Sequence, residues 1–315
     1  SLVPTLDDMA AGGLTAITEI LASPGVDLSR PWIYTALDDA GQLPLRVHYL
    51  LPVEGEADLD RIVEACETWA SAHVRCAGGK LWVDGSIASA EGWTRDAWAD
   101  GSHGSAAFDE AQLTAIIAAA EDRGVPLRMH AMGDAAIDAA VSALETVAAE
   151  SGLAQPHVID HAVLVDADLQ ARIADLGITL SVQPTHRITS DLAGWVDELA
   201  SWEGDETYPI GAMQDAGIPL ALGTDWPVWP TAAPSATLWA AATDPRDDRL
   251  TVAEAFVGMS AGSAAAIGRR GLEGCLDIGC VADFTVLDID PDTVEPEALS
   301  ELAPVERWID ALRAP

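Results

Sequence analysis

Four residues of this chain could share a divalent cation: Lys80, His130, His161 and Asp225. They sit in the runs Gly79-Lys80-Leu81-Trp82, Arg128-Met129-His130-Ala131, Ile159-Asp160-His161-Ala162 and Gly223-Thr224-Asp225-Trp226, each at the end of a stretch that reads as a β-strand. Imidazoles and carboxylates suit Zn2+, with Fe2+ or Mn2+ as alternatives. Such an ion lowers the pKa of a bound water from about 15.7 to about 7, which makes a nucleophile at neutral pH. Asp225 could bind one ion and take the proton of the attacking water. Lys80 is the chain's single lysine. Its amine can add CO2 to become a carbamate that bridges two ions, or condense with a carbonyl as a Schiff base. A guanidinium does neither. Burial would depress the lysine pKa and favour the free amine that carboxylation needs.

Each residue alone has a plainer reading. A strand-terminal histidine is usually a satisfied polar group, and a strand-end aspartate is often a turn cap. The weight comes from four such groups in order on successive strands, because the strand ends of a parallel barrel converge on one face. His186, after Gln183-Pro184-Thr185, is open to both a structural and a substrate-contacting role. His48, His73, His103 and His157 read as structural or exposed.

The elements that must position these groups alternate between strand and helix. Residues 5–21 predict a helix ended by Pro24-Gly25, and residues 43–51 predict a strand. A helix over 58–72, a strand over 80–83 and a long Gly-, Ser- and Trp-rich loop over 84–107 follow. Helices are expected over 109–123, 134–150, 166–176, 206–216 and 251–268, and strands over 125–131, 158–165, 178–183 and 218–223. The fold class is therefore α/β, a TIM-type (β/α) barrel incomplete at its N-terminus. Residues 1–270 are expected to form the barrel. Residues 271–315, Gly-punctuated with a β-branched run at Phe284 to Ile289, are expected to be a remnant of a small β-sandwich with no strand partner.

Composition narrows the partners. The chain of 315 residues has 16 basic and 51 acidic residues, a net charge of −35. That excludes nucleic acid and an anionic membrane surface as binding partners, and a small-molecule substrate is expected instead. Scattered acid with almost no lysine fits a salt-adapted, halophilic protein. Cys66, Cys76, Cys275 and Cys280 form no CxxC pair and no Cys/His zinc pattern, so no disulfide framework is expected and a reducing, cytoplasmic setting is the default. An incomplete barrel with an uncovered face favours a homo-oligomer.

The run K-x-x-x-D-G-S at Lys80, H-A-x-G-D-x-A-I-D at His130, D-H-A at Asp160, S-V-Q-P-T-H ending at His186 and G-T-D-W-P-V at Asp225 resembles amidohydrolase family 3. This is the branch of the metal-dependent amidohydrolases that includes N-substituted formamide deformylase-like enzymes. The similarity runs from about Leu43 to the C-terminus. It implies hydrolysis of an amide or other C–N bond by metal-activated water. Lys80 would be a carboxylated lysine bridging two ions, His130 and His161 would ligate the second ion, and Asp225 would ligate the first and act as general base. Asp134 would orient its loop, while Trp82, Trp226 and Trp229 would wall the pocket.

Three departures qualify that expectation. No His-x-His occurs in the chain, although the family carries one on its first barrel strand. The second barrel strand is unrecognisable between Gly25 and Gln42, and Asp160 stands where the family usually has Glu. The first residue is Ser, and the expectation is either a fragment of a longer enzyme or a reduced barrel with one metal or none. Two other readings remain: a Schiff-base barrel enzyme using Lys80, and a degenerate, non-catalytic barrel serving in binding or assembly.

Overall fold

Seven parallel strands form one sheet in the order in which the chain makes them. They are β1 (Ala16–Ile20), β2 (Arg46–Pro52), β3 (Val74–Trp82), β4 (Leu127–Ala131), β5 (Val158–His161), β6 (Thr179–Val182) and β7 (Leu220–Leu222). The structure, a computed structural model, describes residues 2–23, 26–189, 202, 207–243 and 246–314. Parallel neighbours need crossover connections, and helices supply them. After α1 (Leu2–Ala11), which precedes β1, these are α2 (Trp32–Asp39), α3 (Ala57–Thr68), α4 (Glu110–Arg123), α5 (Asp134–Glu150), α6 (Ala167–Leu176), α7 (Pro184–Thr189) and α8 (Ile210–Asp215). After β7 come α9 (Pro234–Ala242), α10 (Val252–Val257) and α11 (Ser263–Ala266), the last two joined by a π-helical turn at Gly258–Gly262. Among the described residues β1 and β7 remain the sheet's two edges. This is the open wall of a (β/α) barrel.

Local chemistry explains the joints. Asp109 caps α4 in a reciprocal box with Gln112, and Asp166 accepts the Leu169 N–H at the start of α6. Each such cap is worth about 1 kcal/mol. Helix α5 buries Ile137, Val141, Leu144 and Val147, at spacings of three and four residues that fix one face against the sheet. β2 is buried along its whole length, as expected for a strand covered on both faces.

The first expected helix is corrected by the structure. It ends at Ala11, and residues 16–20 are the edge strand β1. Gly12 and Gly13 (φ 100°) turn the chain, and Ile17, Thr18 and Ile20 suit a strand better than a helix. Between Gly25 and Gln42 the structure has α2 and no barrel strand among the described residues. β3 begins at Val74, ahead of the expected residue 80, while β5 stops at His161, short of 165. The helix expected over 206–216 is observed at Ile210–Asp215, and Glu206 lies outside the described residues.

The C-terminal segment is also corrected. Its strand β8 (Phe284–Leu287) has a partner, β9 (Pro304–Ile309), which pairs in turn with β10 (Leu312–Arg313). Arg46 at the start of β2 ties this small antiparallel sheet to the barrel. Its Nε donates to Asp283 at 2.6 Å, Nη1 donates to the Ala72 carbonyl at 3.0 Å, and Nη2 reaches Asp310. The cysteine expectation is overturned as well. Cys66 on α3 bonds Cys76 on β3, and Cys275 bonds Cys280. Helix α3 packs directly on β3, which brings the Cys66 and Cys76 Cα atoms to 4.8 Å. The cysteines therefore give no argument for a reducing compartment.

Candidate metal and catalytic site

The strand register gathers the site. Trp82 pairs with His130, His130 with Asp160, and Asp160 with Ser181, one row across β3 to β6. Cross-strand partners share a face, so this row looks into the barrel. Lys80 and Arg128 form the row beneath it. His161 follows Asp160 and would point outward on a regular strand. Its φ of 74° and the 50° of Ala162 break the strand there and turn the imidazole inward. Asp225, with φ 58°, is turned in the same way after β7. Such left-handed residues without a glycine's freedom cluster where a site demands them.

Among the described residues one trio can hold a metal ion: His161, His186 and Asp225, whose ligand atoms lie within 4.8 Å of one another. The His130 ring stands edge-on to His161 with centroids 4.5 Å apart, and the His186 ring lies nearly parallel to that of His161 at 6.4 Å. Trp229 rests 6.1 Å from His186, whereas Trp226 is 41% exposed. The Lys80 Nζ stands over the face of the Trp82 ring, 5.6 Å from its centroid. Thus Trp82 and Trp229 line the cluster. His186 falls with the candidate ligands, and Trp226 faces solvent.

Lys80 is fully buried and gives its ammonium to Asp160. Asp160 also accepts from Arg128, whose Nε lies at 3.0 Å and whose Nη2 donates on to Ser181 Oγ at 2.6 Å. Burial alone would raise the Asp160 carboxyl, but Arg128 and Lys80 outweigh it and hold it well below the usual carboxylate range. Burial lowers the Lys80 amine in spite of Asp160, and the same amine is electrostatically coupled to Asp225. Burial and the Lys80 charge push His130 down to about 4. Burial, His130 and Lys80 push His161 well below its ordinary value. The imidazoles are therefore neutral near pH 7, the form that binds metal. Burial lifts Asp225 to about 6.

His161 Nδ1 donates to Gln183 Oε1 at 2.8 Å, and Tyr208 donates its hydroxyl to the same oxygen at 3.3 Å. With Nδ1 carrying the proton, Nε2 keeps its lone pair for a ligand. Asp84, just after β3, braces the chain that follows His130. It accepts the N–H groups of Trp93, Met132 and Gly133, and burial still pushes it up to about 7. Its Oδ1 is 3.6 Å from His130 Nε2. Asp134, expected to orient its loop, accepts the Arg95 N–H at 3.0 Å. Sequence reasoning gave no role to Asp84, Arg128, Gln183 or Tyr208. Asp84, Asp160 and Gln183 do stand inside the quoted motifs, and Arg128 is one residue before Met129-His130. Tyr208 has no such signal.

The other histidines are structural. His48 bonds Glu273 at 2.8 Å, His73 bridges Asp38 and Asp310, His103 bonds the Thr94 carbonyl, and His157 bonds Glu121.

The donor set fits a divalent ion. Zinc ligands lie about 2.0–2.2 Å from the metal, so two donors of one ion stand at most about 4.4 Å apart. A spread within 4.8 Å is close to that limit. Two imidazoles and a carboxylate are a three-ligand set that leaves a fourth position open.

Comparison with known proteins gives the family and supports the fold. The model of the family described as "Amidohydrolase family" matches residues 4–310. An N-substituted formamide deformylase of Arthrobacter pascens is 27% identical, across 98% of this chain and 58% of its own length. The putative amidohydrolase YtcJ of Bacillus subtilis is 28% identical, across 95% of this chain and 58% of its own length. The chain thus spans a little over half the length of these relatives. Among solved structures, an uncharacterized metal-dependent hydrolase from Pyrococcus furiosus superposes with a TM-score of 0.76 at 23% identity, covering 93% of this chain and 60% of that one. This likeness supports the barrel fold.

Proposed function

Because the chain belongs to the amidohydrolase family, we propose that it carries the catalytic barrel of a metal-dependent hydrolase that cleaves an amide or other C–N bond in a small molecule. The observation that carries this reading is the trio His161, His186 and Asp225, brought from three strand ends to within 4.8 Å. A divalent ion, zinc by its donor set, would supply Lewis acidity and lower the pKa of a bound water to about 7. His161 would hold it through Nε2, with Gln183 and Tyr208 fixing the ring. His186 and Asp225 complete the donor set, and His130 stands beside it.

Asp225 is the proton carrier in this reading. A carboxyl raised to about 6 is ionised at pH 7, yet close enough to neutrality to return a proton to a leaving nitrogen. Trp82 and Trp229 exclude water from that exchange. The Lys80 carbamate belongs to the same proposal, supported by the burial that lowers the amine. The cytoplasmic setting, the halophilic character and the homo-oligomer stay part of it too. Among the described residues no helix is long and apolar enough to cross a membrane. The pairing of Lys80 with Asp160 opposes the free amine that both the carbamate and the Schiff-base alternative require, so the two are separated by the test below.

The test is metal content together with hydrolysis of a panel of N-formyl and N-acyl amines by the purified chain. Bound divalent metal, activity lost on chelation and restored by zinc, and a fall in kcat of about 10²–10⁴ for Asp225→Asn are expected. Activity unaffected by chelators, with a borohydride-trapped adduct on Lys80, would establish the Schiff-base reading instead. Metal-free protein without activity points to the non-catalytic barrel.

A further inference from the structure

We propose that the opposite end of the barrel binds a small oxyanion, a carboxylate or a phosphate, in a cavity built around Arg75. The cavity encloses about 330 Å³ beneath the N-terminal ends of β3, β4 and β5, away from His161 and Asp225. Arg75, Arg123 and Gln155 are its hydrogen-bond donors, Glu67 is the one acidic residue that lines it, and the Cys66–Cys76 disulfide forms part of its wall. Its volume falls within the range of small-ligand clefts, about 300–1,000 Å³.

Arg75 is the anomaly. In a chain with 51 acidic residues, most described arginines have an acid: Arg46 has Asp283, Arg123 has Asp60, Arg128 has Asp160 and Arg269 has Glu273. Arg75 is half-buried, and among the described residues no hydrogen bond or ion pair to its side chain is found. The carboxylate it feels, Glu273, is already taken by His48 Nε2 at 2.8 Å and Arg269 Nε at 2.6 Å. Arg269 adds a second cation that repels Arg75. A guanidinium has five N–H donors in a fixed fork and no acceptor. Removing it from water without partners is costly, and an oxyanion filling the fork in a bidentate pair offsets that cost.

The other donors grade around it. Arg123 Nε is tied to Asp60 at 2.7 Å and Nη1 to the Ala119 carbonyl at 3.1 Å, so this side chain has less to offer. Among the described residues only the main chain of Gln155 is hydrogen-bonded, which leaves its side-chain amide available to an anion. The overall charge of −35 repels anions at long range. Binding therefore depends on short-range donors and is best measured where salt shortens the screening length below about 8 Å.

The experiment titrates the whole, metal-stripped chain with inorganic phosphate at fixed ionic strength, followed by calorimetry and by thermal melting. Wild type should bind one phosphate saturably. Arg75→Gln should weaken Kd at least tenfold, Arg75→Lys should fall between the two, and Arg123→Gln should lose less than Arg75→Gln. His161→Ala should bind as wild type, since the cavity is remote from the barrel mouth. Acetate competition distinguishes a carboxylate preference from a phosphate one. No saturable phosphate binding by wild type overturns the proposal, as does unchanged affinity in either Arg75 variant or loss of binding in His161→Ala.

Discussion

Replacing Asp160 by asparagine keeps the side chain's shape and removes the single negative charge between Lys80 and Arg128. Both Lys80 and Asp160 are 2% exposed, so the variant leaves two cations facing each other away from water. Breaking a buried pair in this way costs about 3–5 kcal/mol. Lysine has an escape that arginine lacks, because it can lose its proton. From an ordinary value near 10.4, doing so at pH 7 costs about 4.6 kcal/mol, which caps the share due to Lys80. At about 2 °C per kcal/mol for a chain of this size, the melting temperature should fall by about 6–10 °C.

The pH dependence separates this account from a packing defect. Without Asp160, burial drives the folded-state Lys80 pKa further below its unfolded value. The unfolded chain then binds one proton more than the folded one, so stability rises with pH by up to about 1.4 kcal/mol per unit. The deficit of Asp160→Asn against wild type should therefore shrink between pH 7 and pH 10. Adding Lys80→Met should recover part of it at pH 7, a non-additivity expected for contacting residues. Calorimetry of metal-free protein at pH 7 and pH 9.5 reads both effects. A loss under about 2 °C at pH 7, or the same loss at both pH values, refutes the reasoning.

Other perturbations test the frame around the site. Arg46→Met should cost about 3–5 kcal/mol and expose residues 282–314 to limited proteolysis, because Arg46 and Asp283 are both nearly buried. The Glu273 carboxyl is raised by burial but held at about 2 by His48 and Arg269. Glu273→Gln should therefore destabilise by about 1 kcal/mol above pH 4.5, discounted for partial exposure, and the difference should vanish as pH falls through 2. Gly133→Ala would place a Cβ 2.0 Å from the Trp93 carbonyl oxygen and should cost about 1–3 kcal/mol by overpacking. With a charge of −35, the melting temperature should rise between 0.05 M and 1 M KCl as self-repulsion is screened; an unchanged value would count against a salt-adapted surface.

How much of this was readable without coordinates depends on whether the signal is local. Strands β2 to β7 show as apolar runs between capped helices, and four of the site residues stand at or near their ends. β1 is hidden because Thr5-Leu6-Asp7-Asp8 resembles a capping box that makes residues 5–21 read as one helix, whereas the glycine pair at 12–13 carries the opposite message. His186 was visible as a candidate but not as a metal-competent partner, because that depends on the chain after β6 folding back toward Asp225. The Lys80–Asp160–Arg128 network was hidden for the same reason. It is made by strand register, and no single segment contains more than one of the three. Cys66 and Cys76 pair across a helix–strand contact that sequence spacing does not encode.

Lys80 therefore stands between two demands. Its burial favours a neutral amine, the form that can take up CO2, while Asp160 holds it as an ammonium. A carbamate would replace that cation by an anion next to a carboxylate, and Arg128 would be left as the counter-charge of Asp160. Arg128 is already placed for this, with Nε and Nη2 both on Asp160 Oδ1 and Nη2 also on Ser181. The cost of moving Lys80 from one state to the other thus rests on Arg128, a residue that touches neither His161 nor Asp225 in any observed hydrogen bond. Arg128→Met should suppress a CO2 mass adduct on Lys80 more strongly than it weakens zinc binding by the trio His161, His186 and Asp225. Equal loss of both would mean that Arg128 only holds the fold. A retained adduct would mean that the charge on Asp160 does not govern Lys80.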